Sequence, residues 1–283
     1  MTIIERALNK HRPAAAAALA PGKRPRSAPA RTVDPALRIP RISAKVDRRS
    51  CRERRLLLSA ETEDDKSYVA AYRMLRTRLL HRARTSNWTT IAVTSAGPND
   101  GKTLTVVNLA LSLAREKTRE IVLLDLDMRN PSVCRALGVH PRRELRDYLE
   151  SGRYADEMFF TVGSENLLIA GSVTPTEHAS ELLGGASFDE LIATIKRGTV
   201  DPIVLIDLPP ILVTDDALVV APKVDAVLVV ASEGTTDRSE LEKALQLLSE
   251  FPVAGVVLNR AAETSPDYNY AYEAESESNR NEI

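Results

Sequence analysis

The sequence predicts a doubly wound α/β domain with a mostly parallel sheet, flanked by disordered N- and C-terminal tails. Two observations lead to this fold class. Between residues 66 and 262, short runs of Val, Ile and Leu alternate with segments of helical periodicity, a pattern typical of parallel strands covered by helices on both faces. Carboxylates follow several of these runs directly, and the carboxyl ends of strands are where such sheets hold ligands.

The alternation defines the predicted elements in chain order. The first helix, residues 67–84, places Val69, Tyr72, Leu75 and Leu79 on one face and arginines on the other. The strands are predicted at residues 90–94, 121–125, 167–170, 203–207, 226–231 and 253–258. Further helices are predicted at residues 103–115, 145–151, 188–197, 214–221 and 236–250.

The loop between the first strand and its helix, residues 96–103, is a P-loop with Ala in place of the usual first Gly. Backbone N–H groups of such a loop and of the helix start surround phosphate oxygens. Gly101 permits close approach, Lys102 can reach the β- and γ-phosphates, and Thr103 is suited to Mg²⁺. A chance Gly-Lys-Thr in an ordinary crossover is the alternative, but the flanking strand and helix favour nucleotide binding. The predicted binding residues are Gly97, Pro98, Asn99, Asp100, Gly101, Lys102, Thr103 and Leu104.

Two predicted strands end in carboxylates. Asp125 and Asp127 lie at the end of one, and Asp207 ends another after four apolar residues. Each alone is compatible with a helix N-cap or a turn. Beside a P-loop they indicate a Walker B type of site, in which Thr103, Asp125 and Asp207 hold Mg²⁺. Oxygen ligands suit Mg²⁺ better than softer ions.

The first 60 residues contain 15 Lys and Arg against 4 Asp and Glu, and no aromatic residue. Such a segment buries too little apolar surface to offset its ordering entropy, so residues 1–65 are predicted to be a disordered basic tail. Contact with anionic lipid or an acidic partner, contact with nucleic acid, a linker without a partner, and an organellar transit peptide are all compatible with it.

Other features favour a cytoplasmic protein. No apolar run approaches the length of a membrane span, and the N-terminus lacks the apolar centre of a secretory signal. Cys51 and Cys134 show no metal-ligand spacing, which suits a reducing compartment.

Four ordered stretches together resemble a known family: residues 94–103 (TSAGPNDGKT), 122–133 (VLLDLDMRNPSV), 204–210 (VLIDLPP) and 256–260 (VVLNR). With residues 72–77, 180–183 and 215–217, they are similar to the bacterial tyrosine autokinases (BY-kinases) of capsule and exopolysaccharide synthesis, of the stand-alone cytoplasmic CpsD/CapB-like type. The resemblance covers residues 66–270. It implies a MinD/ParA-like P-loop NTPase fold and a protein-tyrosine kinase that uses ATP and Mg²⁺.

The resemblance also implies residue roles. Lys102 and Thr103 would hold the phosphates and Mg²⁺, and Asp125 would lie near the metal. Asp207 would be the Walker B ligand, and Asp127 the base toward a tyrosine hydroxyl. Since phosphoryl transfer depends mostly on positioning and charge, Asp127 acting only to orient the hydroxyl is the alternative. Asn259 resembles the adenine-contacting Asn of related ATPases, with Arg260 beside it.

Residues 263–283 are predicted to be a flexible acidic tail with three clustered tyrosines, Tyr268, Tyr270 and Tyr272. An edge strand is the alternative, but the polar surroundings disfavour it. The cluster resembles the autophosphorylated tyrosines of the family. The family further implies a membrane polysaccharide co-polymerase or chain-length regulator as activator, a counteracting tyrosine phosphatase, a homo-oligomer, and a location at the inner face of the plasma membrane. No nucleic acid partner is expected.

Two positions depart from related patterns. Ala70 stands where the family's oligomerisation helix has a Glu before Arg73 and Arg76, which counts against ring assembly through that ion pair. Gly97 stands where MinD/ParA ATPases have a signature Lys. This absence and the tyrosine tail favour a kinase over a MinD/ParA-like switch that phosphorylates no protein. A third alternative is an adaptor with a decayed site, against which the complete phosphate and metal residues count.

Overall fold

The strands of this protein are almost wholly apolar because helices cover both faces of their sheet. The computed structural model describes residues 39, 41–46, 48–59, 65–153 and 157–261. The strands are β1 (Thr90–Ser95), β2 (Ile121–Asp125), β3 (Phe160–Val162), β4 (Ser164–Ala170), β5 (Ile203–Asp207), β6 (Ala226–Ser232) and β7 (Val253–Asn259). They form one sheet in the order β3-β4-β2-β5-β1-β6-β7. All neighbours are parallel except β3, which is antiparallel to β4.

The helices lie in two layers. Those in the described residues are α1 (Arg48–Glu53), α2 (Lys66–Ser86), α3 (Lys102–Ala114), α4 (Val133–Leu137), α5 (Leu145–Ser151), α6 (Ala179–Gly184), α7 (Ala186–Gly198), α8 (Asp216–Val220) and α9 (Arg238–Leu247). Helices α2, α3 and α4 contribute to the core on one face, and α5 to α9 to the core on the other. Strand β2 serves both layers, since Leu123 faces the first and Leu124 the second.

Strand register brings the functional residues to one edge. Asp125 is paired directly with Asp207 across β2 and β5. The P-loop follows β1, which lies between β5 and β6, and Asn259 at the end of β7 pairs with Ser232 of β6. The predicted phosphate loop and carboxylates therefore lie at the same carboxyl edge of the sheet, as expected for this fold class.

The predicted fold class is confirmed, with differences at short elements. The sequence analysis missed β3, α1, α4 and α6, which have between three and six residues each and are too short to show a clear period. The predicted helix at residues 214–221 shortens to Asp216–Val220, and that at residues 236–250 to Arg238–Leu247.

The segment 41–59, called the strap below, packs on the domain, whereas the sequence predicted disorder to residue 65. Ala44 N donates to Thr161 O at 2.9 Å, and Leu57 N donates to Asn108 Oδ1 at 2.9 Å. Cys51 and Leu56 are fully buried. The composition of the whole first 60 residues concealed this short apolar stretch. The first 38 residues of the tail predicted at 1–65, and the whole tail predicted at 263–283, lie outside the described residues.

In the part of the chain that the structure describes, no helix has both the length and the apolar character needed to cross a bilayer.

Candidate nucleotide and metal site

The P-loop has a fixed shape that depends on Asp100. Its Oδ2 accepts a hydrogen bond from Gly97 N at 3.0 Å, and its Oδ1 accepts one from Thr236 Oγ1 at 2.7 Å. Asn99 and Gly101 take left-handed φ values of 64° and 87°, which turn the chain tightly into α3. The Asp100 carboxylate, predicted to belong to the nucleotide site, is thus fully engaged in holding the loop.

The end of β7 supports this loop from the other side. Asn259 Nδ2 donates to Asp100 O at 2.9 Å. A Cβ atom at Gly101 would lie 2.1 Å from that same Nδ2, so only glycine fits there. Arg260, also at a left-handed φ of 56°, donates from Nη1 to Ser232 Oγ at 3.4 Å. Asn259 therefore contacts the loop backbone, while its predicted contact with adenine stays a prediction.

The remaining loop residues are placed as follows. Pro98 and Asn99 are exposed, Gly97 is half-buried, and Leu104 packs with its half-buried side chain on the core under α3.

Lys102, the first residue of α3, lies among carboxylates. Its Nζ is 2.5 Å from Asp127 Oδ2 and 3.8 Å from Asp207 Oδ1. Burial lowers the pKa of the Lys102 ammonium, but the charges of Asp207, Asp127 and Asp125 outweigh burial and raise it overall. The lysine is therefore a fixed cation in the middle of the site.

Thr103 and Asp207 are joined directly. Thr103 Oγ1 donates to Asp207 Oδ2 at 2.6 Å and lies 2.9 Å from Ser132 Oγ. Asp207 Oδ1 is buried without a hydrogen-bond partner. Burial raises the pKa of Asp207 to about 6, although Lys102 and Thr103 act in the opposite direction.

Asp125 is held from one side only. Its Oδ2 accepts hydrogen bonds from Ser132 N and Val133 N, each at 2.8 Å, while its Oδ1 is buried without a partner. Burial, followed by the charge of Asp207, raises the pKa of Asp125 to about 8 despite those two N–H groups. The carboxyl group is thus poorly stabilised as an anion unless a cation approaches it.

The donor set fits Mg²⁺. Asp125 and Asp207 each direct one unpartnered oxygen into the site, and the Thr103 hydroxyl lies beside them. Hard oxygen ligands of this kind suit Mg²⁺, which usually takes few protein ligands and completes its shell with water and phosphate. The described residues contain no cluster of three or more His, Cys, Asp or Glu side chains that could hold a metal ion by themselves.

A second polar network, centred on Arg129, lies beside the site and was missed by sequence reasoning. Arg129 Nε donates to the fully buried Asp216 at 3.0 Å, and Nη2 donates to Ser180 Oγ at 3.1 Å. Ser180 Oγ donates in turn to Asp215 at 3.0 Å. The network ties the loop after β2 to α6 and α8. The sequence shows these residues as separate motifs, and only the fold joins them.

Ser132 was also not singled out. Its backbone N–H contacts Asp125 and its hydroxyl contacts Thr103. Ser132 lies directly before α4, and Ser is a typical residue at such an N-cap position. This sequence pattern could have identified Ser132.

The site residues divide into three groups. Lys102, Thr103, Asp125, Asp127 and Asp207 meet at one point. Asp100, Gly101 and Asn259 form the loop and its support. Tyr268, Tyr270 and Tyr272 lie outside the described residues.

Comparison with known proteins finds similarity to a P-loop NTPase family and to tyrosine-protein kinases. The sequence model of the ParA family, described as NUBPL iron-transfer P-loop NTPase, matches residues 87–282. The tyrosine-protein kinase CpsD of Streptococcus pneumoniae serotype 4 is 34% identical to this chain over 178 residues, which span 60% of this chain and 75% of that protein.

Solved structures agree with this fold. The kinase domain of Escherichia coli tyrosine kinase ETK matches with a TM-score of 0.61 and 26% identity, over 70% of this chain and 78% of that one. The septum site-determining protein MinD of Pyrococcus horikoshii, complexed with Mg-ADP, matches with a TM-score of 0.51 and 20% identity, over 64% of this chain and 76% of that one. The similarity is greater to the tyrosine kinase than to MinD.

Proposed function

This chain belongs to the bacterial tyrosine kinases within the ParA family of P-loop NTPases, and on that premise we propose that it phosphorylates tyrosines of its own C-terminal tail with Mg-ATP. One observation carries the proposal: Lys102 of the P-loop meets the strand-end carboxylates Asp127 and Asp207 at the edge of the sheet. The same lysine can bind phosphate and control the carboxylate that faces an acceptor.

ATP would bind with its phosphates in the loop 96–103, where backbone N–H groups at the start of α3 favour negative charge. The Lys102 ammonium would then exchange its contact with Asp127 for the β- and γ-phosphates. Thr103, Asp125 and Asp207 would hold Mg²⁺, which neutralises phosphate charge when it is bound. Asn259 and Arg260 would lie beside the adenine.

Loss of the lysine contact would free Asp127 to receive a tyrosine O–H. As the tyrosine oxygen bonds to the γ-phosphorus, the bond from that phosphorus to the β–γ bridging oxygen breaks and ADP leaves. The tyrosine proton passes to Asp127, or Asp127 only orients the hydroxyl and the proton passes late to water. In either case the rate depends mainly on positioning.

The acceptors would be Tyr268, Tyr270 and Tyr272. By the family resemblance, the kinase would regulate polymerisation and export of a capsule or exopolysaccharide, with a membrane chain-length regulator as activator and a tyrosine phosphatase as its opponent. The proposed organisation is a basic N-terminal segment over residues 1–65, a kinase domain over residues 66–262 and an acidic tyrosine-bearing tail over residues 263–283.

The alternative is a MinD-like ATPase switch without kinase activity. Gly97, whose N–H donates to Asp100, offers no side chain at the signature lysine position, and this favours the kinase.

The test is detection of phosphotyrosine on the purified full chain with Mg-ATP. We expect signal from the wild type, none from Lys102→Ala, and an unchanged signal from Lys243→Ala, an exposed lysine on α9. ATP hydrolysis without phosphotyrosine in the wild type would favour the switch instead.

A further inference from the structure

Helix α2 has a strongly basic outer face. Its 21 residues include six Lys or Arg and no Asp or Glu. Two of the arginines are engaged inward: Arg76 contacts Ser112 O and Glu116, and Arg82 donates to Ala254 O. Three others, Arg73, Arg78 and Arg84, are exposed and make no ion pair within the described part of the chain. Helical spacing places all three outside the buried stripe of Leu79 and Ala83, with Arg73 and Arg84 on one flank of the exposed half and Arg78 on the other.

The strap extends this face. The strap and α2 both attach to α3, through Leu57 N to Asn108 and through Ser112 Oγ to Tyr72 O, so they lie on the same side of the sheet. The strap adds exposed Arg54 and Arg55. Its Glu53 is paired with Arg49 at 3.1 Å, and so does little to offset the positive charge.

Charged residues are also unevenly distributed along the whole chain, with the excess of positive charge at the N-terminal side. Residues 1–86 contain 21 Lys and Arg against 8 Asp and Glu, whereas residues 87–283 contain 17 against 31. Four of those 8 acidic residues lie in the segment 61–65, immediately before α2 in the sequence. The positive charge is thus concentrated in the N-terminal part of the sequence, which includes the strap and α2.

We propose that the outer face of α2, together with the strap, docks on an anionic lipid surface. The surface is broad, since α2 alone is about 30 Å long, and Met74, 46% exposed, lies among the arginines. Basic residues with an apolar side chain between them suit a layer of anionic headgroups. A second copy fits this face less well, because Ala70 supplies no carboxylate and two α2 helices would repel each other.

This inference rests on the proposed function, because docking through α2 would present a kinase to a partner in the membrane. Helix α2 covers a face of the sheet, while Lys102 and the carboxylates lie at the carboxyl edge. A domain docked through α2 would therefore have its site at the side of the domain, where the membrane does not cover it.

The test is co-sedimentation of the full chain with phosphatidylcholine vesicles, with and without phosphatidylglycerol. We expect binding only to the anionic vesicles, and weaker binding at high salt. The triple variant Arg73→Gln, Arg78→Gln, Arg84→Gln should bind roughly 100-fold more weakly, at about fivefold per residue. The matched control Arg197→Gln, Arg238→Gln, Lys243→Gln removes three exposed charges from α7 and α9 and should bind like the wild type.

Several results would overturn the inference. These are unchanged binding by the α2 variant, equal loss in the control, or loss that follows only deletion of residues 1–38. Binding that appears only after deletion of residues 263–283 would make the acidic tail the occupant of this face. A lower mass of the α2 variant than of the wild type, in light scattering of the two unphosphorylated proteins without lipid, would make the occupant a second copy.

Phosphotyrosine formation in solution separates this inference from the proposed function. The α2 variant should equal the wild type in that assay. A wild type without kinase activity would overturn the proposed function and leave the vesicle result intact.

Discussion

Lys102 Nζ lies 2.5 Å from Asp127 Oδ2, and the two side chains are only 11% and 5% exposed. The predicted phosphate-binding lysine and the predicted base are therefore partners of each other. If either side chain is removed, the remaining charge stays buried, with little water and few polar groups to stabilise it.

The first prediction concerns this ion pair. Lys102→Met should abolish phosphotyrosine formation and lower the free energy of unfolding by about 3 kcal/mol, because carboxylates then lose their cation. Adding Asp127→Asn should restore part of the stability but no activity. Urea unfolding and phosphotyrosine detection measure the two effects. A folded Lys102→Met protein that still turns over ATP would contradict the site assignment.

The second prediction concerns pH without metal. The pKa of Asp125 is raised to about 8 and that of Asp207 to about 6, so the folded protein keeps protons that the unfolded chain has lost. Stability should therefore fall as pH rises from about 4 to about 8. Thermal unfolding in EDTA checks this, and Mg²⁺ should stabilise most at the alkaline end. Asp125→Asn with Asp207→Asn should flatten the pH profile and abolish turnover; an unchanged slope would sink the explanation.

The third prediction concerns Gly101. Gly101→Ala should abolish nucleotide binding, since its Cβ would meet Asn259 at 2.1 Å and its φ is 87°. Gly138→Ala is the matched control, because Gly138 has a similar φ of 68° with open space around it. The control should cost only about 1 kcal/mol of stability and retain ATP binding in calorimetry. Equal behaviour of the two variants would mean that the contact with Asn259 is unimportant.

The fourth prediction concerns the strap. Deleting residues 1–38 should leave turnover and thermal stability unchanged. Deleting residues 1–60 should destabilise the domain and reduce turnover, because it removes the buried Cys51 and Leu56 and leaves Asn108 without its partners. Leu56→Ala in the full chain should cost about 2–5 kcal/mol; a cost near zero would count against packing of the strap.

The fifth prediction concerns the tail. Replacing Tyr268, Tyr270 and Tyr272 with Phe should remove most of the phosphotyrosine. Each phosphate adds about −1.5 to −2 charge, to a segment with 6 acidic residues against 1 basic between residues 263 and 283. Charge repulsion should drive the phosphorylated tail out of a site lined by carboxylates. We therefore expect the phosphorylated wild type to scatter light as a smaller species than Lys102→Met. Identical masses would mean that phosphorylation of the tail does not change the assembly.

Local sequence patterns are enough to predict the fold class, the P-loop and the strand-end carboxylates. Continuous apolar strands and a loop between strand and helix are local patterns, and local sterics and burial fix what they become. Even the exact bounds of β2 and β5 followed from this, since each ends at the first carboxylate after an apolar run.

Which side chains come into contact depends on the three-dimensional fold. Asp125 and Asp207 lie 82 positions apart in the chain and become direct neighbours because β2 and β5 pair in register. Other tertiary contacts bring Asn259 to Asp100, Arg129 to Asp216 and Lys102 to Asp127. The packing of the strap was hidden because its burial depends on Asn108 and the core beneath α2, partners that no window of neighbouring residues contains.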